Sequence, residues 1–145
     1  MIRRMIAEDI EEVYGLVCEL EEEELNRVTF MEIFMKILDG SQHICFVYET
    51  AGHIFGFIHL RWEEQLHHAG KVAEVMELDV AREYRSNGIG RALFEIGREW
   101  ARDSGCIQLE VSCNQSRERS HAFYMDQGMA MTHYKFSLPL ANTNP

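Results

Sequence analysis

A chain of 145 residues, 46% hydrophobic and 26% charged, has the make-up of one globular domain that hides about 68–70% of its unfolded surface. Its formal charge of −10 sets it against nucleic acid and anionic membrane and towards cationic ligands, and no apolar run approaches the ~20 residues of a membrane-spanning helix. The opening M-I-R-R-M-I-A-E-D-I turns acidic before a signal-peptide core can form, and Cys18, Cys45, Cys106 and Cys113 contain no C-x-x-C pair. A cytoplasmic protein with reduced thiols is therefore expected.

Ile2 to Met5 reads as a short strand. Ile10, Val13, Leu16, Val17 and Leu20 recur at helical spacing, with Glu8 and Asp9 at the positive end of that helix and the acidic run Glu21 to Glu24 as its solvated far end. Thr29-Phe30-Met31-Glu32 has the form of a capping box before Ile33, Phe34, Ile37 and Leu38, and Gly40 stops that second helix. His43 to Thr50 and His53 to Trp62 are rich in β-branched and aromatic residues around an Ala51-Gly52 hairpin turn.

Glu63 to Lys71, polar and carrying His67 and His68, reads as a loop before a third strand, Val72 to Val80. A helix is expected from Gly88 to Asp103, ended by Gly105, and a strand from Cys106 to Cys113, along which those two thiols stand too far apart to bond. Arg117 to Gln127 is a helix closed by Gly128, and Met129 to Leu138 a last strand. The order β-α-α-β-β-β-α-β-α-β predicts an α/β fold with a mixed, mostly antiparallel sheet flanked by helices. One domain over residues 1–140 and a frayed tail at 141–145 complete the expectation.

The stretch Y-R-S-N-G-I-G-R-A-L-F, Tyr84 to Phe94, carries the first chemical signal. Glycines between a strand and a helix let a phosphate approach backbone N–H groups, and the helix adds about half a positive charge. Arg82, Arg85 and Arg91 cluster there in an otherwise anionic protein. A P-loop needs Lys and then Ser or Thr after its second glycine, where this chain has Arg91-Ala92; a dinucleotide fingerprint needs a small residue at the position of Leu93. Both fail, leaving Arg85-x-x-Gly88-x-Gly90.

R-S-N-G-I-G, after E-V-M-E-L-D-V and before R-A-L-F, resembles motif A of the GNAT N-acetyltransferase superfamily. N-Q-S-R-E-R-S-H-A-F-Y-M-D-Q-G resembles its later motif, although Met129 replaces the aromatic residue usual after that glycine. The resemblance implies acetyl-CoA as donor and direct transfer to an amine within a ternary complex. It implies a pyrophosphate on the amides of Arg85, Ser86, Asn87, Gly88, Ile89 and Gly90, with Arg91 adjoining. It further implies a pantetheine arm along Leu78, Asp79 and Val80, with Asn114 and Tyr124 beside the thioester.

Amines are mostly protonated at neutral pH, so such a transfer needs a base. Glu74 and Glu77 are the candidates. Strict alternation puts Glu74 on the apolar face of Val72, Met76, Leu78 and Val80, where burial would raise its pKa; Glu74 also matches the family's base position. Tyr124 is the expected proton donor to the departing sulfur. Arg117, His121 and Tyr124 share a helix face, so Arg117 or His121 either tunes the tyrosine or contacts the cofactor. His59, His67, His68 and His133 are read as acceptor contacts. A divalent metal on three of them is the weaker alternative, as no spaced ligand motif supports it.

V-Y-G-L-V-C-E-L, L-H-H, N-x-x-R-x-x-x-H-x-F-Y and T-H-Y-K-F-S are similar to aminoalkylphosphonate N-acetyltransferases. That branch implies a small phosphonate-bearing amine held by Arg61, His67, His68 or Lys135. Net charge favours instead a cationic acceptor such as a polyamine, aminoglycoside or lysine-like amine, and a member that senses acetyl-CoA without catalysis is a third reading. The apolar last strand (Tyr134, Phe136, Leu138) either forms a homodimer interface or fills the core.

Overall fold

The computed structural model describes residues 1–141; residues 142–145, most of the expected frayed tail, lie outside them. The chain forms two compact units, Met1–Val111 and a second from Ser112.

The first unit holds β1 (Ile2–Arg4), α1 (Ile10–Glu21), α2 (Arg27–Asp39), β2 (His43–Thr50), β3 (His53–Gln65), β4 (Gly70–Val80), α3 (Ile89–Asp103) and β5 (Gln108–Val111). Its sheet runs β1-β2-β3-β4-β5, antiparallel until β4 and β5 pair in parallel across the α3 crossover. This is the mixed, mostly antiparallel α/β architecture that the element order predicts.

Apolar side chains of α1 (Val13, Leu16, Val17) and α2 (Phe34) close over Cys45, Val47 and Phe57 on one face of the sheet. On the other face α3 sits close because glycines allow it. A Cβ at Gly97 would stand 3.1 Å from both Ile58 and Leu60, and one at Gly56 would stand 3.1 Å from Ile89 and 3.2 Å from Leu93. Leu60, Ile58 and Leu93 are fully buried, each contributing about 1.5–3 kcal/mol. The start of α3 is thereby held beside the end of β4.

Four boundaries differ from the expectation. Helix α2 begins one turn early because Asn26 comes first as a competent cap: its side chain accepts the Thr29 N–H at 2.9 Å. The span 63–71 is mostly strand, since charged residues extend the β3–β4 hairpin and only Leu66 to Ala69 turn. Strand β5 runs only from Gln108 to Val111, so it excludes both Cys106 and Cys113.

The fourth is the expected last strand, Met129 to Leu138, which forms no strand among the described residues. Its alternation fits a pleat, but a strand also needs a neighbour to pair with. Among the described residues the second unit holds a loop, α4 (Glu118–Asp126) and this strandless stretch.

The β3–β4 register fixes which strand carboxylates share a face. His59 pairs with Glu77, whereas Leu60 pairs with Val75, so Met76 is an extra residue bulged out of β4. One inserted residue reverses the alternation beyond it. Glu77 therefore lies on the same sheet face as Glu74, which pairs with Arg61, and the strict alternation used to separate the two carboxylates fails.

Candidate active site

After β4 the chain makes a short 3₁₀ turn, Arg82–Tyr84, then bends through Ser86 (φ 69°) and Gly88 (φ 83°) into α3. Gly88 caps α3 without any side-chain hydrogen bond, and a Cβ there would meet nothing within 4 Å. The glycine is thus demanded by its left-handed backbone and not by crowding. The first-turn N–H groups of α3 lack partners within the helix. Arg85 folds back so that its Nε donates to the Val80 carbonyl at 3.2 Å. Arg82 turns away to Glu19 and Glu22 on and after α1, at 4.0 and 3.7 Å, so the expected arginine cluster is divided.

Strand β4 pairs with β5 only from Val72 to Val75. From Met76 to Val80 it is paired to β3 alone among the described residues, which leaves one backbone edge of Leu78, Asp79 and Val80 unpaired by any strand. A strand edge with no strand neighbour, its Val80 carbonyl held by Arg85, leads to the N-terminus of α3 and fits an extended arm that ends in a diphosphate.

The α1/α2 face of the same strands gathers titratable groups. His59 is 6% exposed, and its Nε2 lies 2.9 Å from His43 Nδ1. Burial, then His43 and Arg61, holds the His59 pKa down at about 4; burial and Arg61 lower that of His43. Burial raises the Glu77 carboxyl, and Glu21 at the end of α1 raises it further. Cys45, the cross-strand partner of His59, is pushed up to about 12 by burial and by Glu77. The carboxylate environment expected for Glu74 is the one found at Glu77.

His67 and His68 are elsewhere. They occupy the β3–β4 turn with rings 4.3 Å apart, and His68 Nδ1 is 2.6 Å from Gln65 Oε1. In a turn they face each other, not opposite sides as an extended pair would. At about 3.3 Å per residue the strand runs about 13 Å from Gly70 to Glu74, opposite Arg61, and about 23 Å to Glu77, opposite His59, so these two histidines are not brought to His59. Among the described residues no three His, Cys, Asp or Glu side chains form a metal-binding group.

In the second unit, Asn114 Oδ1 accepts from Ser116 N at 2.9 Å and Ser116 Oγ at 2.7 Å. The Asn114 carbonyl receives the Arg117 N–H at 3.0 Å and lies 2.8 Å from His121 Nε2. His121 is therefore tied to the loop that starts α4, and Arg117 is the N-cap of that helix. Tyr124 lies in the second half of α4, its ring edge-on to Phe123 at 5.2 Å. His133 contacts Thr132 at 2.6 Å and, like Lys135, lies in the strandless segment.

Residues 6–129 match the profile of the Acetyltransferase (GNAT) family. The chain belongs to that family. It is 34% identical over 140 residues to an aminoalkylphosphonate N-acetyltransferase of Salmonella typhimurium, covering 96% of this chain and 90% of that one. Among solved structures it resembles a transcriptional regulator from Bacillus halodurans (TM-score 0.89, 18% identity, 97% of this chain and 99% of that one). It also resembles glucosamine-6-phosphate N-acetyltransferase from Arabidopsis thaliana (TM-score 0.80, 21% identity, 97% and 98%). These structural likenesses establish the fold; the family match and the Salmonella relative make this GNAT protein an N-acetyltransferase.

Sequence reasoning missed Cys45 and Glu21 as neighbours of the Glu77 carboxylate, and His43 as the partner of His59. The signal was partial: His43, Cys45 and His59 lie on the two arms of a recognised hairpin, but which residues face each other depends on its register.

Proposed function

We propose that this acetyltransferase moves an acetyl group from acetyl-CoA to the primary amine of a small molecule, directly within a ternary complex, and that aminoalkylphosphonates are its acceptor class. Acetyl-CoA, when bound, supplies the acetyl group as an activated thioester. The amides from Arg85 to Gly90 hold the diphosphate and Arg91 adds charge beside them. The backbone of Leu78, Asp79 and Val80 orients the arm, and Asn114 and Arg117 complete the donor site. The family match runs through both compact units, which supports one domain over residues 1–140.

The observation that carries the mechanism is the half-buried carboxyl of Glu77, whose pKa is raised by desolvation and by Glu21. A carboxylate with a raised pKa is a stronger base, so Glu77 takes the acceptor's proton at its carboxylate oxygen, and Glu74 is the second candidate. Tyr124 returns a proton from its hydroxyl to the departing sulfur. Arg61, opposite Glu74, supplies a cation near the acceptor, with His59 beside it; Lys135 and His133 are further acceptor contacts. The four thiols are free, which supports a reducing, cytoplasmic setting. Tyr134, Phe136 and Leu138 are 84%, 93% and 80% exposed, which supports a homodimer.

Glu21 beside Glu77 favours a second acceptor reading, a plain cation. A panel of aminoalkylphosphonates, polyamines and aminoglycosides, followed by thiol release with and without a chelator, separates these readings. Highest kcat/KM on a phosphonate is expected. Preference for a polyamine or aminoglycoside overturns the phosphonate assignment, and coenzyme A binding without turnover on any amine overturns the enzyme mechanism in favour of a sensor.

A further inference from the structure

Arg61 is a half-buried cation that makes no ion pair among the described residues, in a chain of net charge −10. Glu74 stands across β3–β4 from it but does not pair with it. Charges drawn out of water are ordinarily paired, so this guanidinium calls for an anion. His43 stands directly opposite it on β2. We propose that His43 is the specificity-determining residue for the acceptor's acidic end, and that with Arg61 it forms a seat for a doubly charged group; this rests on the reading of aminoalkylphosphonates as acceptors.

The strands set two levels. Glu77, His59 and Cys45 face one another across β4, β3 and β2; two residues along β3, Arg61 stands opposite His43. Two residues of strand are about 7 Å, so a short acceptor with its amine at Glu77 brings an acid at its other end to Arg61 and His43. His43 Nδ1, 2.9 Å from His59 Nε2, joins the levels. The ring is tightly seated: a Cβ on Gly40 would come within 2.6 Å of His43 Cδ2. It lines a cavity of about 90 Å³ together with Arg4, Ile37 and Leu38, which has room for several waters.

Charge arithmetic gives the selectivity. Burial and then Arg61 lower the His43 pKa, and burial, His43 and Arg61 hold that of His59 at about 4, so both rings are neutral in the free protein at neutral pH. A singly charged acid cancels the Arg61 charge and leaves nothing over. A doubly charged one leaves a negative charge beside His43, which reverses the field on that ring and draws a proton onto it. The proton comes from solvent to His43 Nε2, while Nδ1–H donates to His59 Nε2, and it returns to solvent from the same atom when the product leaves. His43 takes the charge because His59, 6% exposed, is the more buried ring. The other charges facing the pair are Glu77 and Glu74 of β4, Glu21 of α1 behind Glu77, and Arg4 of β1 at the cavity. The Cys45 thiol of β2, at about 12, is uncharged, and α2 brings the apolar Ile37 and Leu38.

Aminoethylphosphonate and aminoethylsulfonate share a chain and a tetrahedral acid, and differ in charge near neutral pH, where a phosphate-like group carries about −1.5 to −2. Wild type should prefer the phosphonate. His43→Gln keeps a hydrogen-bonding side chain but cannot charge. It should raise the phosphonate KM about tenfold, as loss of a charge-assisted hydrogen bond does, with kcat and the sulfonate KM unchanged. In ¹⁵N spectra of the wild-type complex with coenzyme A near pH ~7, His43 should be neutral alone, charged once aminoethylphosphonate is added, and neutral with aminoethylsulfonate. An equal change in both KM values, no change in either, or a His43 that stays neutral beside the phosphonate each overturns the seat. Failure of the acceptor reading looks different: wild type then turns over polyamines or aminoglycosides and neither acid. A wild type that acetylates the phosphonate, beside a His43→Gln with unaltered preference, overturns the seat alone.

Discussion

At the scale of single residues, the two strand carboxylates make opposite predictions. Glu77→Gln should lower kcat about 10²-fold or more and flatten the acid limb of the pH–rate profile, because that limb reports the base's protonation. Glu74→Gln should keep the limb and weaken acceptor binding through its neighbour Arg61; the reverse pattern would return the base to Glu74. Tyr124→Phe should cut turnover at least tenfold and leave acetyl-CoA affinity unchanged, as titration calorimetry beside steady-state rates would show. His59 predicts a stability effect. Its folded pKa of about 4 lies below the ordinary 6.5, so below that ordinary value the unfolded chain takes up a proton that the folded chain does not. Its stabilising share is therefore complete above the unfolded pKa and is lost as pH falls towards the folded one, up to about 3 kcal/mol. Glu77, raised instead of lowered, works in the opposite sense. Urea unfolding at about pH 7 and about pH 4.5 should show a smaller pH dependence in His59→Gln than in wild type.

At the scale of elements, the glycine turn was legible because its requirement is local: a left-handed residue before a helix must be glycine or carry strain. Gly88→Ala has room for its Cβ but not the backbone conformation (φ 83°), a cost of roughly 1–2 kcal/mol. The variant should lose that stability and bind coenzyme A more weakly; unchanged affinity in calorimetry would remove this turn from the donor site. Strand register was not legible. The Ala51-Gly52 turn fixes Thr50 opposite His53, but a shift between Tyr48 and Glu49 slides the rest of β2 by one residue. The Met76 bulge does the same to β4. Nothing in the side-chain pattern marks either shift, since a bulge is set by how two strands meet and not by one strand's composition. Hence the titratable cluster was seen as separate residues, and the two strand carboxylates were placed on opposite faces.

At the scale of the molecule, the element order and the glycine and Asn114-to-Tyr124 motifs sufficed to identify the family, because each is fixed by short stretches of chain. What sequence alone overstated is the last strand. Tyr134, Phe136, Leu138 and Leu140 alternate with polar or small residues as a half-buried strand should, yet these four side chains are 84%, 93%, 80% and 90% exposed. Alternation records the demand for a partner without naming it. So many apolar side chains in ten residues exceed what a lone monomer surface tolerates, and a strand-patterned segment without a ladder is prone to pair with another chain. The protein should therefore sediment as a dimer at micromolar concentration, and Phe136→Asp with Leu138→Asp should shift it to monomer while leaving the far-ultraviolet spectrum intact. A wild-type protein that remains monomeric as concentration rises would mean that the segment is covered within one chain, and the homodimer reading would fall.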